Sequence, residues 1–412
     1  MRELFKTIIL LFLVILAIFQ TGELWFSNMG RNFFDVFAQT PNIVSYSKQF
    51  IRPIRALTSL GNNRFAATYA PNYYYIVQIK PALEAALYNG TYTTLQLNAS
   101  VFNQRGVIYY YSFNMPTFEF LHILGISNYY LQGILPTFNK LLIVPIDSTV
   151  NIYFIGDVIV NLSVENSAVA TQINTQIQDT HRQRINDDIH YISTDLIGFT
   201  LSENIFVPHW RGSRLAYHPL IAQPFLKNNE GKSLATIGES LNLFFANPSL
   251  VWSDERDNIF TFSDFNVVVR YNSNAGIIEY INHRQGTGQI GLLADFYNAI
   301  TFIDRDVSIT NEVILSHFKQ GYYYTTFYFD YVVNNFPVFL ESSSLSSFIE
   351  VTVQNGGVVH YTRISANFQI SDEINYHQED IINLVDTYGQ SILPRFGYIF
   401  TGDDEVMLDW DN

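Results

Sequence analysis

The opening segment constrains this chain more than any later stretch. Arg2 and Lys6 precede an apolar run, Ile8 to Phe19, which continues through Gln20, Thr21, Gly22 and Glu23 to Leu24, Trp25 and Phe26. At helical rise, Phe5 to Phe26 is long enough to cross a hydrocarbon core of about 30 Å. Both early basic residues precede the apolar run. The positive-inside rule therefore puts the N-terminus in the cytoplasm and the bulk of the chain outside the cell membrane, as a single-pass protein. Ala17 is followed by Ile18 and Phe19, with no pair of small residues at A-x-A spacing. A retained signal-anchor is expected rather than a cleaved signal peptide.

Residues 27–412 must then fold outside without disulfides, because the chain has no cysteine. The same absence removes thiolate metal sites and thiol nucleophiles, so cores alone must hold the fold. Composition allows this: 48% of residues are hydrophobic and 16% aromatic, against 15% charged. A disordered chain would be poorer in aromatics and richer in charge. The net charge is −14, and the opening segment contributes nothing to it, since Arg2 and Lys6 balance Glu3 and Glu23. Such a surface is repelled by phosphate backbones, and no basic run offsets it, so nucleic acid is excluded as a partner.

The pattern along the chain predicts an α+β protein: an N-terminal transmembrane helix, then a multi-domain ectodomain of mostly antiparallel sheets with packed helices. The expected divisions are 1–26 (cytoplasmic N-terminus and anchor), 27–189, 190–285 and 286–412. In the first outer unit we expect a strand Tyr73 to Ile79, then a helix opened by Pro81 and closed by Asn89-Gly90. A Tyr-rich strand Gly106 to Phe113, a helix Thr117 to Leu124, and strands Lys140 to Pro145 and Val150 to Val160 follow. Residues 165–189 carry only a weak helical pattern. The middle unit offers a helix, Ser233 to Phe245, ended by Asn247-Pro248, and strands Ile259 to Phe262, Val267 to Tyr271 and Ile277 to Asn282. The last unit offers a helix Ile290 to Ile303 and an aromatic strand Tyr322 to Val333. A hairpin, Phe348 to Val353 and Val358 to Phe368, turns at Asn355-Gly356-Gly357, where Asn-Gly favours a tight turn. A helix Asp380 to Thr387 and an acidic tail close the chain.

Candidate chemistry fails on inspection. Gly286-Thr287-Gly288-Gln289-Ile290-Gly291 fits G-x-G-x-x-G and opens a helix. Its preceding strand belongs to an antiparallel hairpin, however, and carries Glu279, unlike the buried strand of a dinucleotide fold. A loop leading to a helix N-terminus explains the glycines. Nine histidines are scattered; His181 and His190 bracket Asp187 and Asp188 without metal-ligand spacing. Gly238-Glu239-Ser240-Leu241-Asn242 lacks the last glycine of a nucleophile elbow and lies in a helix. Asp254, Glu255 and Asp257, and Asp403, Asp404 and Glu405, read as solvated turns, with no cue that one acid is buried for glycoside cleavage. The tail Asp403 to Asp411 lacks the order of a calcium loop. No catalytic residue, cofactor site or metal site is assigned, and the chain is not expected to be an enzyme.

The anchor carries the better signal. Thr7, Leu10, Val14, Ala17, Thr21 and Leu24 recur at alternating spacings of three and four, forming a seam. Within it Thr7, Val14, Ala17 and Thr21 make a strip of smaller or weakly polar side chains, through which membrane helices approach one another. Gln20 and Glu23 lie near its outer end. This face is the candidate partner-binding site.

Several blocks together resemble a known family. They are Leu24-Trp25-Phe26, Ile51-Arg52-Pro53, Tyr109 to Pro116 (YYYSFNMP), Ser240 to Val251 (SLNLFFANPSLV), Phe260 to Asp264 (FTFSD), Ile278-Glu279-Tyr280 and Ile349 to Arg363 (IEVTVQNGGVVHYTR). Along nearly the full chain this resembles the YycH (WalH) family of Gram-positive bacteria. The resemblance implies a membrane-anchored extracytoplasmic regulator of a YycG/WalK-like sensor histidine kinase that controls cell-wall metabolism. It would act with a YycI-like single-span partner, through transmembrane-helix and ectodomain contacts, and without catalytic residues. The alternative is an exported protein that binds, or hydrolyses, cell-wall glycan or lipid; the aromatic richness of Tyr322 to Phe329 is its support.

Overall fold

The computed structural model describes residues 49–411 apart from 62–64, 70–73, 96–103, 128, 185–188, 194–205, 211–214, 225–233, 285, 342–344, 378–394 and 403–404. The anchor, its seam Thr7, Leu10, Val14, Ala17, Thr21 and Leu24, and the expected helix Asp380 to Thr387 lie outside the described residues. Lys48–Asn412 is one compact unit. Among the described residues no helix is long and apolar enough to cross a membrane.

The elements described run β1 (Arg55–Ser59), β2 (Phe65–Tyr69), α1 (Tyr74–Asn89), β3 (Thr91–Leu95), β4 (Gly106–Pro116), α2 (Thr117–Ile123) and α3 (Tyr129–Ile134). They continue through β5 (Thr137–Ile146), β6 (Thr149–Ile155), β7 (Ile159–Glu165), α4 (Ser167–Arg184), β8 (Ile189–Ser193) and β9 (Phe206–Trp210). These strands make a nine-stranded sheet in the order β3-β7-β6-β5-β4-β1-β2-β8-β9. Three expectations change here. The expected strand Tyr73 to Ile79 is, over its described part from Tyr74, the start of α1, and Pro81 lies inside that helix rather than in its first turn. A proline there costs roughly 3 kcal/mol, which the buried stripe Ile79, Ala82, Leu83 and Ala86 offsets. Val150 to Val160 is two strands, β6 and β7, because the chain reverses after Ile155, which pairs with Ile159. Within the weak pattern at 165–189 lies a full helix, α4 (Ser167–Arg184), which among the described residues buries Ala170, Ile173 and Ile177.

The remainder runs β10 (Leu215–Tyr217), β11 (Leu220–Pro224), α5 (Leu234–Leu241), β12 (Trp252–Arg256), β13 (Ile259–Ser263), β14 (Val267–Asn272), β15 (Ile277–Asn282) and α6 (Leu292–Arg305). Then come β16 (Glu312–Gln320), β17 (Tyr324–Val333), β18 (Phe336–Leu340), β19 (Ile349–Gln354), β20 (Gly357–Ile364) and β21 (Ala366–Ile370). The last strands are β22 (Asn375–His377), β23 (Arg395–Phe400) and β24 (Glu405–Asp411). Thirteen of these form one sheet, while β10 and β22 pair separately. The pairings are antiparallel except β18 with β23. The protein is thus α+β with mostly antiparallel sheets.

One edge of β17 is shared between β19 and β18, so the large sheet divides into two limbs there. Because β20 runs on through Ser365 into β21, the limbs are also joined by continuous chain. Phe348, Phe368, Phe400 and Tyr331 pack ring to ring between them, with centroids 5.1–5.8 Å apart. Three hairpins turn on two residues of positive φ: Asp257-Asn258, Asn334-Asn335 and Asn355-Gly356. Asn, Asp and Gly are the residues that tolerate this conformation, and its twist matches that of the strands. The expected acidic tail is instead β24, paired with β23 and β11. The two sheets meet where buried Arg52 donates to Glu312 Oε2 at 3.0 Å and Ser112 Oγ donates to the Ser316 carbonyl at 2.6 Å.

A buried ion pair ties α6 to the large sheet. Asp306, just past the helix end, accepts from Arg363 Nη1 at 2.5 Å and Tyr361 OH at 2.9 Å through Oδ2, and from Ser308 Oγ through Oδ1. Arg363 is wholly buried and Asp306 nearly so. Burial, reinforced by Asp306, pushes the Tyr361 hydroxyl well above its ordinary pKa, so it remains a donor. Replacing one partner leaves a naked buried charge, so Asp306→Ala should cost about 3–5 kcal/mol in denaturant unfolding. Asp295 on α6 is the opposite case. Burial raises its pKa, with the hydroxyl of Thr325 opposing through a 3.1 Å bond. A raised carboxylate favours the fold when protonated, and that contribution is lost as pH rises through the folded-state pKa. Asp295→Asn should therefore raise Tm at neutral pH, with the gain fading as pH falls through the folded-state pKa and gone below about pH 4.

Candidate functional site

Among the described residues a cavity of about 470 Å³ opens between the turns that follow α5, the β13–β14 turn, β15 and α6. Its first wall forms where α5 gives way to a short 3-10 turn, Asn242–Phe244, and Asn247-Pro248 starts another, Pro248–Leu250. Proline cannot continue a helix but presets the backbone of a new turn, and the Asn247 side chain caps it by accepting from Ser249 N at 3.2 Å. Opposite, Asp264 folds its own turn, Oδ1 accepting from the backbone N–H of Asn266 and Val267, both at 2.7 Å. That tight turn turns Phe265 outward, 91% exposed, and exposed Leu250 lines the same cavity.

The floor is aromatic. Tyr280 of β15 and Phe302 of α6 have centroids 4.8 Å apart, and Phe244 lies 5.8 and 5.9 Å from them. Two cations line the cavity, Arg284 just after β15 and Arg305 in the last turn of α6. Both are exposed, and among the described residues neither has an acidic partner. Burial raises the Tyr280 pKa; Asn282 and Arg305 oppose the shift and Asp264 adds to it. Tyr280 is therefore a neutral phenol, and the lining holds two guanidiniums against one carboxylate already bound to its own turn. This arrangement can grip an anion beside an apolar surface; nothing in it is a nucleophile with an adjacent base.

The groups singled out in the sequence fall elsewhere, and most serve the fold. The glycine run packs on the β19–β20 turn: Gly288 N donates to the Asn355 carbonyl at 3.0 Å. A Cβ on Gly286 would stand 2.4 Å from Gly357 N, and one on Gly356 would stand 2.7 Å from the Gly288 Cα. The glycines let two backbones touch. Ser240 donates to the Thr236 carbonyl within α5 at 3.3 Å. Asp254 and Glu255 are not on a loop but on the edge strand β12, where Asp254 pairs with Arg256 at 2.8 Å. Asp257 occupies a positive-φ turn position. Asp187, Asp188, Asp403 and Asp404 lie outside the described residues. Of the aromatic stretch, Tyr322, Tyr323 and Tyr324 are exposed at a hairpin tip, whereas Thr325 to Phe329 are buried in β17. Among the described residues no three His, Asp or Glu side chains gather as metal ligands.

The cavity itself was not foreseen. Its walls come from the SLNLFFANPSLV and FTFSD blocks, whose Asn-Pro and Ser-Asp turns are readable. Arg284, before α6, and Arg305, in its last turn, line one cavity only through the packing of that helix.

No family model and no curated protein matches the sequence. The fold is nevertheless that of a known structure: the crystal structure of YycH from Bacillus subtilis superposes with a TM-score of 0.56 at 12% identity. The match covers 88% of this chain and 95% of that one. The protein has a YycH-like fold.

Gly286→Ala tests the structural account of the glycine run. It should destabilise by about 1–3 kcal/mol, as overpacking does, measured by chemical unfolding.

Proposed function

We propose that the chain is a noncatalytic, membrane-anchored regulator of a YycG/WalK-like sensor histidine kinase that controls cell-wall metabolism, working beside a YycI-like single-span protein. The observation that carries this reading is the YycH-like fold across nearly the whole length of both chains. The anchor adds support, because the seam Thr7, Leu10, Val14, Ala17, Thr21 and Leu24 offers a partner helix a surface of modest side chains. The noncatalytic part rests on the structural duties of Ser240, the glycine run and Asp254. A regulator of this kind biases the kinase by binding one of its states better than the other.

The glycan- or lipid-binding alternative keeps one observation in its favour, the exposed Tyr322-Tyr323-Tyr324 tip, since aromatic faces suit sugar rings. It predicts that purified protein binds wall fragments through that tip.

The chain's lack of cysteine makes the regulator reading easy to test. Single cysteines at Thr7, Val14 and Thr21 should crosslink to the kinase's membrane helices, while cysteines at Phe12 and Phe19, off the seam, should not. Deleting the gene should change kinase output. Uniform crosslinking, or none together with unchanged output, would sink the proposal.

A further inference from the structure

We propose that the cavity between the turns that follow α5, the β13–β14 turn, β15 and α6 binds a small amphipathic carboxylate, its apolar body on Phe244, Tyr280 and Phe302 and its carboxylate held by Arg284 and Arg305. Four observations lead there. At about 470 Å³ the space falls within the roughly 300–1,000 Å³ of ordinary small-molecule sites. Its apolar floor is made of aromatic rings fixed by packing on one another and, through Phe244 and Phe302, on Tyr361 at 5.8 and 5.2 Å. That floor is preformed, so binding need not order it.

The third observation is electrostatic. In a chain of net charge −14, two arginines without acidic partners among the described residues stand at one cavity. A guanidinium offers a planar fork that matches a carboxylate, and such charge-assisted bonds are the strong ones. Fourth, the single acid in the lining selects among anions. One Asp264 oxygen is engaged by two backbone N–H groups, but the carboxylate keeps its charge. A dianionic phosphate would meet that charge more strongly than a monoanion does, which favours a carboxylate. The Asn247 amide NH2, whose oxygen caps its own turn, can donate to a polar substituent on the ligand's body.

The test uses the full-length chain in detergent, with detergent alone as blank, titrated calorimetrically with phenylalkanoates from phenylacetate to phenylhexanoate. The matching phenylalkanols serve as neutral controls and phenyl phosphate as the dianion. We expect at least one carboxylate to bind about tenfold more tightly than its alcohol, and more tightly than phenyl phosphate. Arg284→Gln and Arg305→Gln, both at exposed positions, should each bring the carboxylate toward the alcohol's affinity and leave the alcohol unchanged. Equal affinity for acid and alcohol, preference for the phosphate, indifference to both substitutions, or no binding across the series would overturn the proposal. None of these outcomes bears on crosslinking of the anchor, so this proposal and the regulator reading can fail separately.

Discussion

The contact between Asp306 and Arg363 is one on which much of the large sheet's geometry turns, because it joins the end of α6 to β20 with both side chains out of water. Two buried charges are expensive to desolvate, and such pairs often contribute little net stability. Their effect here is positional. Tyr361 and Ser308 bond the same carboxylate, so α6 has a preferred seat on β20. From that seat Phe302 reaches Tyr280 and Arg305 reaches the cavity mouth. A fold without disulfides can fix an outer wall in this way, with polar specificity inside an aromatic core.

How legible this was depended on whether the forces were local. The Asn355-Gly356 hairpin could be read because two residues set its backbone angles. The strands Ile259–Ser263, Val267–Asn272 and Ile277–Asn282 followed from apolar alternation and from the turns between them. Helix α1 misled, because Pro81 signals a helix start, and only the burial of Ile79, Ala82, Leu83 and Ala86 reveals that the helix begins earlier. Helix α4 was faint for a related reason: three small or medium apolar residues suffice when a sheet covers them. The acidic tail became β24 because β23, just before it, and β11, distant in sequence, supply its partners.

The candidate site was legible in pieces. Asn247-Pro248 and Ser263-Asp264 mark turns, and the phenylalanines beside them mark a core. That these turns face each other across a cavity depends on α6, whose packing is set by Asp306 and Arg363. The glycine run shows the converse. Its pattern fits a phosphate loop, yet its space is filled by the backbone of the β19–β20 turn.

Two working regions are proposed, an anchor face for a partner helix and a cavity suited to a small anion. The central claim is the partnership with a sensor kinase. The most direct measurement is a mild-detergent pull-down of the full-length chain from its native membrane, with co-purifying proteins identified. The account predicts enrichment of a sensor histidine kinase together with a single-span protein. Recovery of the chain alone, or with wall hydrolases and no kinase, would contradict it.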